Sequence, residues 1–74
     1  MAISGDQFDA LVKLMRGTLE SPANRAARRV LVDGITQADA VRETGVTRAT
    51  VSHAVKRYAD ANALMLRVYT SHSL

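Results

Sequence analysis

The feature that most constrains the fold is a glycine, Gly45, that separates two stretches of helical character. Before it, Thr36 can cap a short helix that runs to about Thr44. After it, Thr47 can cap a longer helix that ends near Ala61. Two helices joined this closely cross at a steep angle, and glycine readily takes the left-handed backbone conformation that such a turn requires. The pattern predicts a short helix, a tight turn and a second helix.

Two more helices are expected before this pair. Ser4 and Gln7 make a capping box, and the apolar residues behind it recur at helical spacing: Phe8, Leu11, Val12 and Met15. We expect Gly17 to end this helix in the left-handed conformation. A Ser-Pro pair at positions 21 and 22 starts the next helix, because proline fits its first turn, and Gly34 follows its end.

The last segment loses the helical period. From residue 64 to residue 69 the larger aliphatic side chains fall at every second position, which is typical of a strand. A strand needs a partner, so it would pair with a second copy or lie as an irregular tail. The expected dimer interface consists of Leu64, Leu66, Val68 and Tyr69. The predicted fold is all-α, with a compact helical domain over residues 1–62 and a short C-terminal strand or tail over residues 63–74.

Composition narrows the function classes. A chain of 74 residues forms one small domain, and burial at this size is limited enough that we expect a homodimer. It contains no cysteine, and its two histidines lie too far apart in sequence for a local metal motif. No nucleophile and base are paired, so we predict no enzyme, no cofactor and no small-molecule substrate. Neither a membrane span nor a signal peptide is visible, which indicates a cytoplasmic binding protein.

The outer face of the last predicted helix indicates DNA binding. The chain carries a net charge of +3 and a pI near 10.0, which is typical of proteins that bind polyanions. Opposite the apolar stripe, residues 47–56 present basic and hydrogen-bonding side chains and no acid. We expect these residues to read bases in the major groove: Thr47, Arg48, Ala49, Ser52, His53 and Lys56. Arg48 can hold a guanine through two hydrogen bonds, and the small residues allow close approach.

Other residues are expected at the DNA backbone. Thr36 and Gln37 begin the third helix, where free amide groups favour a phosphate. Arg28 and Arg57 can flank the duplex. Two further arginines, Arg25 and Arg29, are candidates too, although each of these four arginines is about as consistent with ordinary surface.

The chain resembles the KorA (TrfB-type) repressors of conjugative plasmids. The similarity covers residues 4–58 and rests on VLVDG at 30–34, on Gln37-Ala38, and on TRxxVSxAV at 47–55. It implies a helix-turn-helix domain that binds an operator palindrome as a homodimer and represses plasmid promoters in the bacterial cytoplasm. Carried over to matching positions, it implies Thr47, Arg48 and Ser52 at the DNA and Gln37 near the backbone.

Two other classes stay open. The scaffold also suits a protein-interaction module, such as an antitoxin-like accessory factor, which would bind a partner protein and no specific sequence. It also suits a structural or partition protein, which would show clustered sites or weak sequence preference. Catalysis has the least support.

Overall fold

The computed structural model describes the backbone of residues 3–72 and the side chains of residues 3–68. Within that range the chain forms four helices and no strand. Their bounds are α1 Gly5–Leu14, α2 Pro22–Leu31, α3 Gln37–Thr44 and α4 Arg48–His72. The all-α prediction is therefore confirmed for the described residues.

Each helix begins at the cap that the sequence predicts. Ser4 and Gln7 form the reciprocal capping box of α1, with N···O distances of 3.0 and 3.1 Å. The other three caps each accept a hydrogen bond from the backbone amide three residues on: Ser21 at 3.2 Å, Thr36 at 3.1 Å and Thr47 at 3.2 Å. Because these side chains satisfy amides that the helix leaves without partners, the helix starts are fixed locally.

The end of α1 differs from the prediction. The left-handed residue is Arg16, with φ 58°, and not Gly17. The Gly17 amide donates to the Val12 carbonyl at 2.8 Å, and the Arg16 amide donates to the Lys13 carbonyl at 3.0 Å. This is the Schellman arrangement with an arginine where glycine is usual.

Glycine is instead needed at position 17 because side chains of other residues lie close to its backbone. A Cβ atom on Gly17 would lie 2.9 Å from the Tyr58 hydroxyl, 3.1 Å from Val12 Cγ1 and 3.2 Å from Asn24 Nδ2. Residues from α1, α2 and α4 thus converge on this one backbone position. The sequence predicted a special glycine here but gave the wrong reason for it.

The core has two clusters, and α4 belongs to both. The first joins α1, α2 and α4 and contains the ring contact between Phe8 and Tyr58, whose centroids lie 5.1 Å apart. The second joins α2, α3 and α4 through Ala26, Ala40 and Val51, all fully buried. Because α4 packs in both clusters, its first half is held rigidly against the other three helices.

The predicted strand at 64–69 is wrong, because α4 continues through it to His72. The buried side of α4 continues from Tyr58 through Ala61 and Asn62 to Met65 at helical spacing. Asn62 is only 2% exposed, so a polar residue occupies a position of the buried stripe. Sequence reasoning took Asn62 as the end of the helix, and the short alternation after it then resembled a strand.

The second half of α4 leaves apolar side chains exposed. Leu64, Leu66 and Val68 are 56%, 40% and 49% exposed. With 25 residues, α4 is about 37 Å long and crosses residue 62, where the sequence placed a domain boundary. That division stays a prediction. None of the helices within residues 3–72 has the length and apolarity needed to cross a bilayer.

Candidate nucleic-acid interface

The site begins at the turn between α3 and α4. Gly45 takes the left-handed conformation, with φ 76°, as the sequence predicts. The preceding Thr44 is half-buried, and its hydroxyl donates to the Ala40 carbonyl at 2.7 Å. Since that hydrogen bond satisfies the hydroxyl, a polar residue is accommodated at this helix junction.

All six predicted base-reading residues are exposed: Thr47, Arg48, Ala49, Ser52, His53 and Lys56. Val51, Ala54 and Tyr58, on the other side of α4, are buried at 0%, 6% and 2% exposure. Because helical residues four apart share a face, the exposed set forms one continuous surface. This surface, residues 47–56 on the outer side of α4, is called the α4 outer face below.

Thr47, a member of this set, also has a structural role. The Thr47 hydroxyl accepts the Thr50 amide as the helix cap and also lies 2.8 Å from the Thr50 hydroxyl. Thr50 is exposed on the first turn of α4 and was missed by sequence reasoning. A threonine three residues after a predicted cap is the signal that would have pointed to it.

Lys56 also has a partner. Its Nζ lies 2.9 Å from Asp60 Oδ2, and the two side chains are 76% and 66% exposed. The outer face itself carries no acid, as the sequence predicts, but Asp60 lies one turn beyond it. The predicted helix includes Asp60, but the predicted base-reading surface ends at Lys56 and leaves this residue out.

The residues predicted to contact the DNA backbone differ in their exposure and in whether they are paired with an acid. Arg28 pairs with Asp9, with Nε and Oδ1 3.1 Å apart, and is partly covered. Arg57 is exposed, and its guanidinium carbon lies 5.9 Å from the centre of the Tyr58 ring. At the start of α3, Thr36 is exposed and Gln37 is half-buried, while Asp39 adds a carboxylate to the same first turn.

A cleft of about 390 Å³ lies between α2 and α3, lined by Arg25, Arg28, Arg29, Glu43 and Thr44. Two of these arginines are bound to acids, Arg28 to Asp9 and Arg29 to Glu43. Hydrogen bonds from Arg29 hold the pKa of the Glu43 carboxyl below its ordinary value. Arg25 is exposed and pairs with no acid whose side chain the structure describes, so it is the most available cation of this cleft.

Among the residues that the structure describes, no three His, Cys, Asp or Glu side chains lie close enough together to hold a metal ion.

The chain was compared with known proteins. A model of the TrfB plasmid transcriptional repressor family, KORA, matches residues 3–69. No curated protein and no solved structure gives a match. The family match includes α1, α2 and α3 and all but the end of α4, and it confirms the resemblance seen in the sequence. The chain belongs to the TrfB family of plasmid transcriptional repressors.

Proposed function

We propose that this protein represses transcription by binding one specific operator sequence, with α3, the turn at 45–47 and α4 acting as a helix-turn-helix. The observation that carries the proposal is the α4 outer face, on which every residue expected to read bases is exposed while the opposite side is buried. Family membership supports repression as the outcome of binding.

The outer face suits the major groove in size and chemistry. An α-helix with its side chains is about 10–12 Å across and fits a groove about 12 Å wide, and residues 48–56 extend about 12 Å along the helix axis. Arg48 binds guanine O6 and N7 through two hydrogen bonds, and Ala49 lets the helix approach the base edges. Ser52 and His53 add hydrogen-bonding groups on the same face, so sequence choice comes from this surface.

Phosphate contacts supply affinity and orientation. Arg57, next to the outer face, and Arg25, on α2, are exposed cations suited to this role. Arg28 would have to give up Asp9, but a surface ion pair that solvent still reaches contributes only on the order of 1 kcal/mol, so a phosphate can replace the acid. Thr36 and Gln37 present the first amides of α3 to the backbone.

The protein binds as a homodimer through the second half of α4. Leu64 and Val68 lie four residues apart on one exposed side of the helix, and contiguous exposed apolar surface marks interaction sites. Because α4 is helical here, helix-to-helix packing replaces the expected strand pairing. Leu66 lies on another side of the helix, and the side chain of Tyr69 is outside the described residues. A two-fold dimer then requires a palindromic operator.

A repressor of plasmid promoters acts where the plasmid is transcribed. We therefore place the protein in the bacterial cytoplasm, at plasmid promoters that include those for conjugation.

Selection of bound duplexes from a randomised pool, at about 150 mM salt to weaken nonspecific contacts, tests the proposal. The expected result is a palindrome whose half-sites lie about one helical turn apart. A single short site would contradict the dimer. No enrichment, with a protein co-purifying instead, would favour an interaction module, and weak or clustered preference would favour a partition protein.

A further inference from the structure

Asp60 lies on the DNA-facing side of α4. At 100° per residue, Ala49, Lys56 and Asp60 fall within about 40° of one another around the helix. Asp60 is therefore the acid that extends the outer face by one turn, and its carboxylate lies 2.9 Å from the Lys56 ammonium.

The fold gains little from this pair. Both side chains are mostly exposed, at 76% and 66%, so solvent screens their attraction. Lys56 also precedes Asp60 along the helix, which is the less favourable order, because a helical ion pair is more stabilising when the acid precedes the base. Asp60 sits near the middle of α4, away from the N-terminus where a carboxylate stabilises a helix. Aspartate is a poor helix former at such a position.

The pair does affect the approach of DNA. Binding to arbitrary sequences is essentially electrostatic and depends on how many phosphates the cations neutralise. Lys56 is paired with Asp60 before DNA arrives, so a phosphate must compete with the carboxylate for the ammonium, and the carboxylate repels phosphates on either side of the groove. On arbitrary DNA Lys56 can contact only phosphates, so both effects oppose binding there. At the operator Lys56 donates to a base edge, so its competition with phosphates matters less and the loss of affinity is smaller.

We propose that Asp60 is a specificity-determining residue, which pairs with Lys56 and so weakens binding to arbitrary DNA more than binding to the operator. This inference rests on the proposed function and adds a repulsive element to its interface.

The experiment uses the full chain and two duplexes of equal length, one recovered by the selection and one of random sequence. Binding is measured over a range of salt concentrations for wild type, Asp60→Asn and the control Glu20→Gln. Glu20 is exposed, lies between α1 and α2, and its replacement changes the net charge equally. Circular dichroism checks that each variant is folded.

We expect Asp60→Asn to bind the random duplex about five-fold more tightly at about 150 mM salt, with a salt slope steeper by about 0.9, as one more neutralised phosphate requires. The selected duplex should gain less, so the preference for it falls. Glu20→Gln should change neither. Equal behaviour of Asp60→Asn and Glu20→Gln would overturn the inference.

A double-mutant cycle separates the pair from general charge. In a Lys56→Gln background, Asp60→Asn should lose the part of its effect that acts through Lys56, so its gain on the random duplex should be smaller than in wild type. A full effect in that background would overturn the role of the pair. If wild type prefers the selected duplex and Asp60→Asn behaves like the control, only this inference fails. If wild type shows no preference, the proposed function fails.

Discussion

Arg29 on α2 and Glu43 on α3 are joined by two parallel hydrogen bonds, each 2.9 Å between nitrogen and oxygen. The same guanidinium donates to Asp33 at 3.0 Å. Arg29 therefore bridges the end of α2 and the last turn of α3, close to the turn that leads into α4. A fork of this kind fixes orientation better than a single contact does.

Replacement of Glu43 by glutamine is expected to lower the urea midpoint of unfolding at neutral pH. The Arg29 hydrogen bonds depress the pKa of Glu43 in the folded state. The stabilisation is therefore complete above the unfolded pKa, about 4.3, and is lost as the pH falls through the lower folded value. The wild-type and Glu43→Gln midpoints should differ at neutral pH and converge in acid. A difference that is the same at both pH values would contradict this account.

Gly17→Ala should destabilise the fold by about 1–3 kcal/mol, because the added Cβ would crowd the buried Tyr58 side chain. The nearest atom would be the Tyr58 hydroxyl at 2.9 Å, on a side chain that is 2% exposed. Urea denaturation measures the loss. Gly34→Ala is a useful comparison, since no atom lies within 4 Å of its Cβ position and any cost there comes from its φ of 77°. Unchanged stability of Gly17→Ala would remove the close-approach explanation.

Arg16→Gly should stabilise the protein by about 0.5–1 kcal/mol, because glycine takes the left-handed conformation without the steric cost to a side chain. The matched control is Lys13→Gly, which alters an exposed basic residue inside α1 and should cost about 1 kcal/mol. Thermal unfolding of both variants checks the opposite signs. Destabilisation by Arg16→Gly would mean that the arginine side chain itself is needed.

The paired replacement Leu64→Glu and Val68→Glu should convert the proposed dimer to a monomer and weaken operator binding. Charges on this exposed side of α4 would be buried against the second copy without partners. Sedimentation velocity measures the association state. Leu14→Glu serves as the control, since Leu14 is 73% exposed on α1 and is not part of the proposed interface. A dimer that survives the pair of substitutions would place the interface elsewhere.

The helix starts were predictable because each depends on a few neighbouring residues. Ser4, Ser21, Thr36 and Thr47 all cap helices where the sequence indicates. The left-handed conformation of Gly45 was equally predictable, because a tight turn between two helices requires it. The outer face followed from the same helical period, so its exposure could be predicted as well.

The predictions failed where the structure depends on packing between residues that are distant in sequence. Asn62 is polar but buried, so local pattern could not reveal that α4 continues past it. Gly17 depends on Tyr58, which is distant in sequence. The pairing of Arg28 with Asp9, across nineteen residues, was likewise invisible to local pattern. Asp60 was predictable by a helical-wheel argument, because the predicted helix includes it and only the predicted base-reading surface stopped at Lys56.

The base preference of Arg48→Ala tests the central claim most directly. Wild type, Arg48→Ala and Arg57→Ala are each assayed against the selected duplex and its single-base-pair variants. The account predicts that Arg48→Ala loses about 1–3 kcal/mol and its discrimination at one base pair in each half-site. Arg57→Ala should weaken all duplexes equally, with a smaller salt slope. Unchanged affinity and base preference in Arg48→Ala would contradict the claim that the outer face of α4 reads the operator.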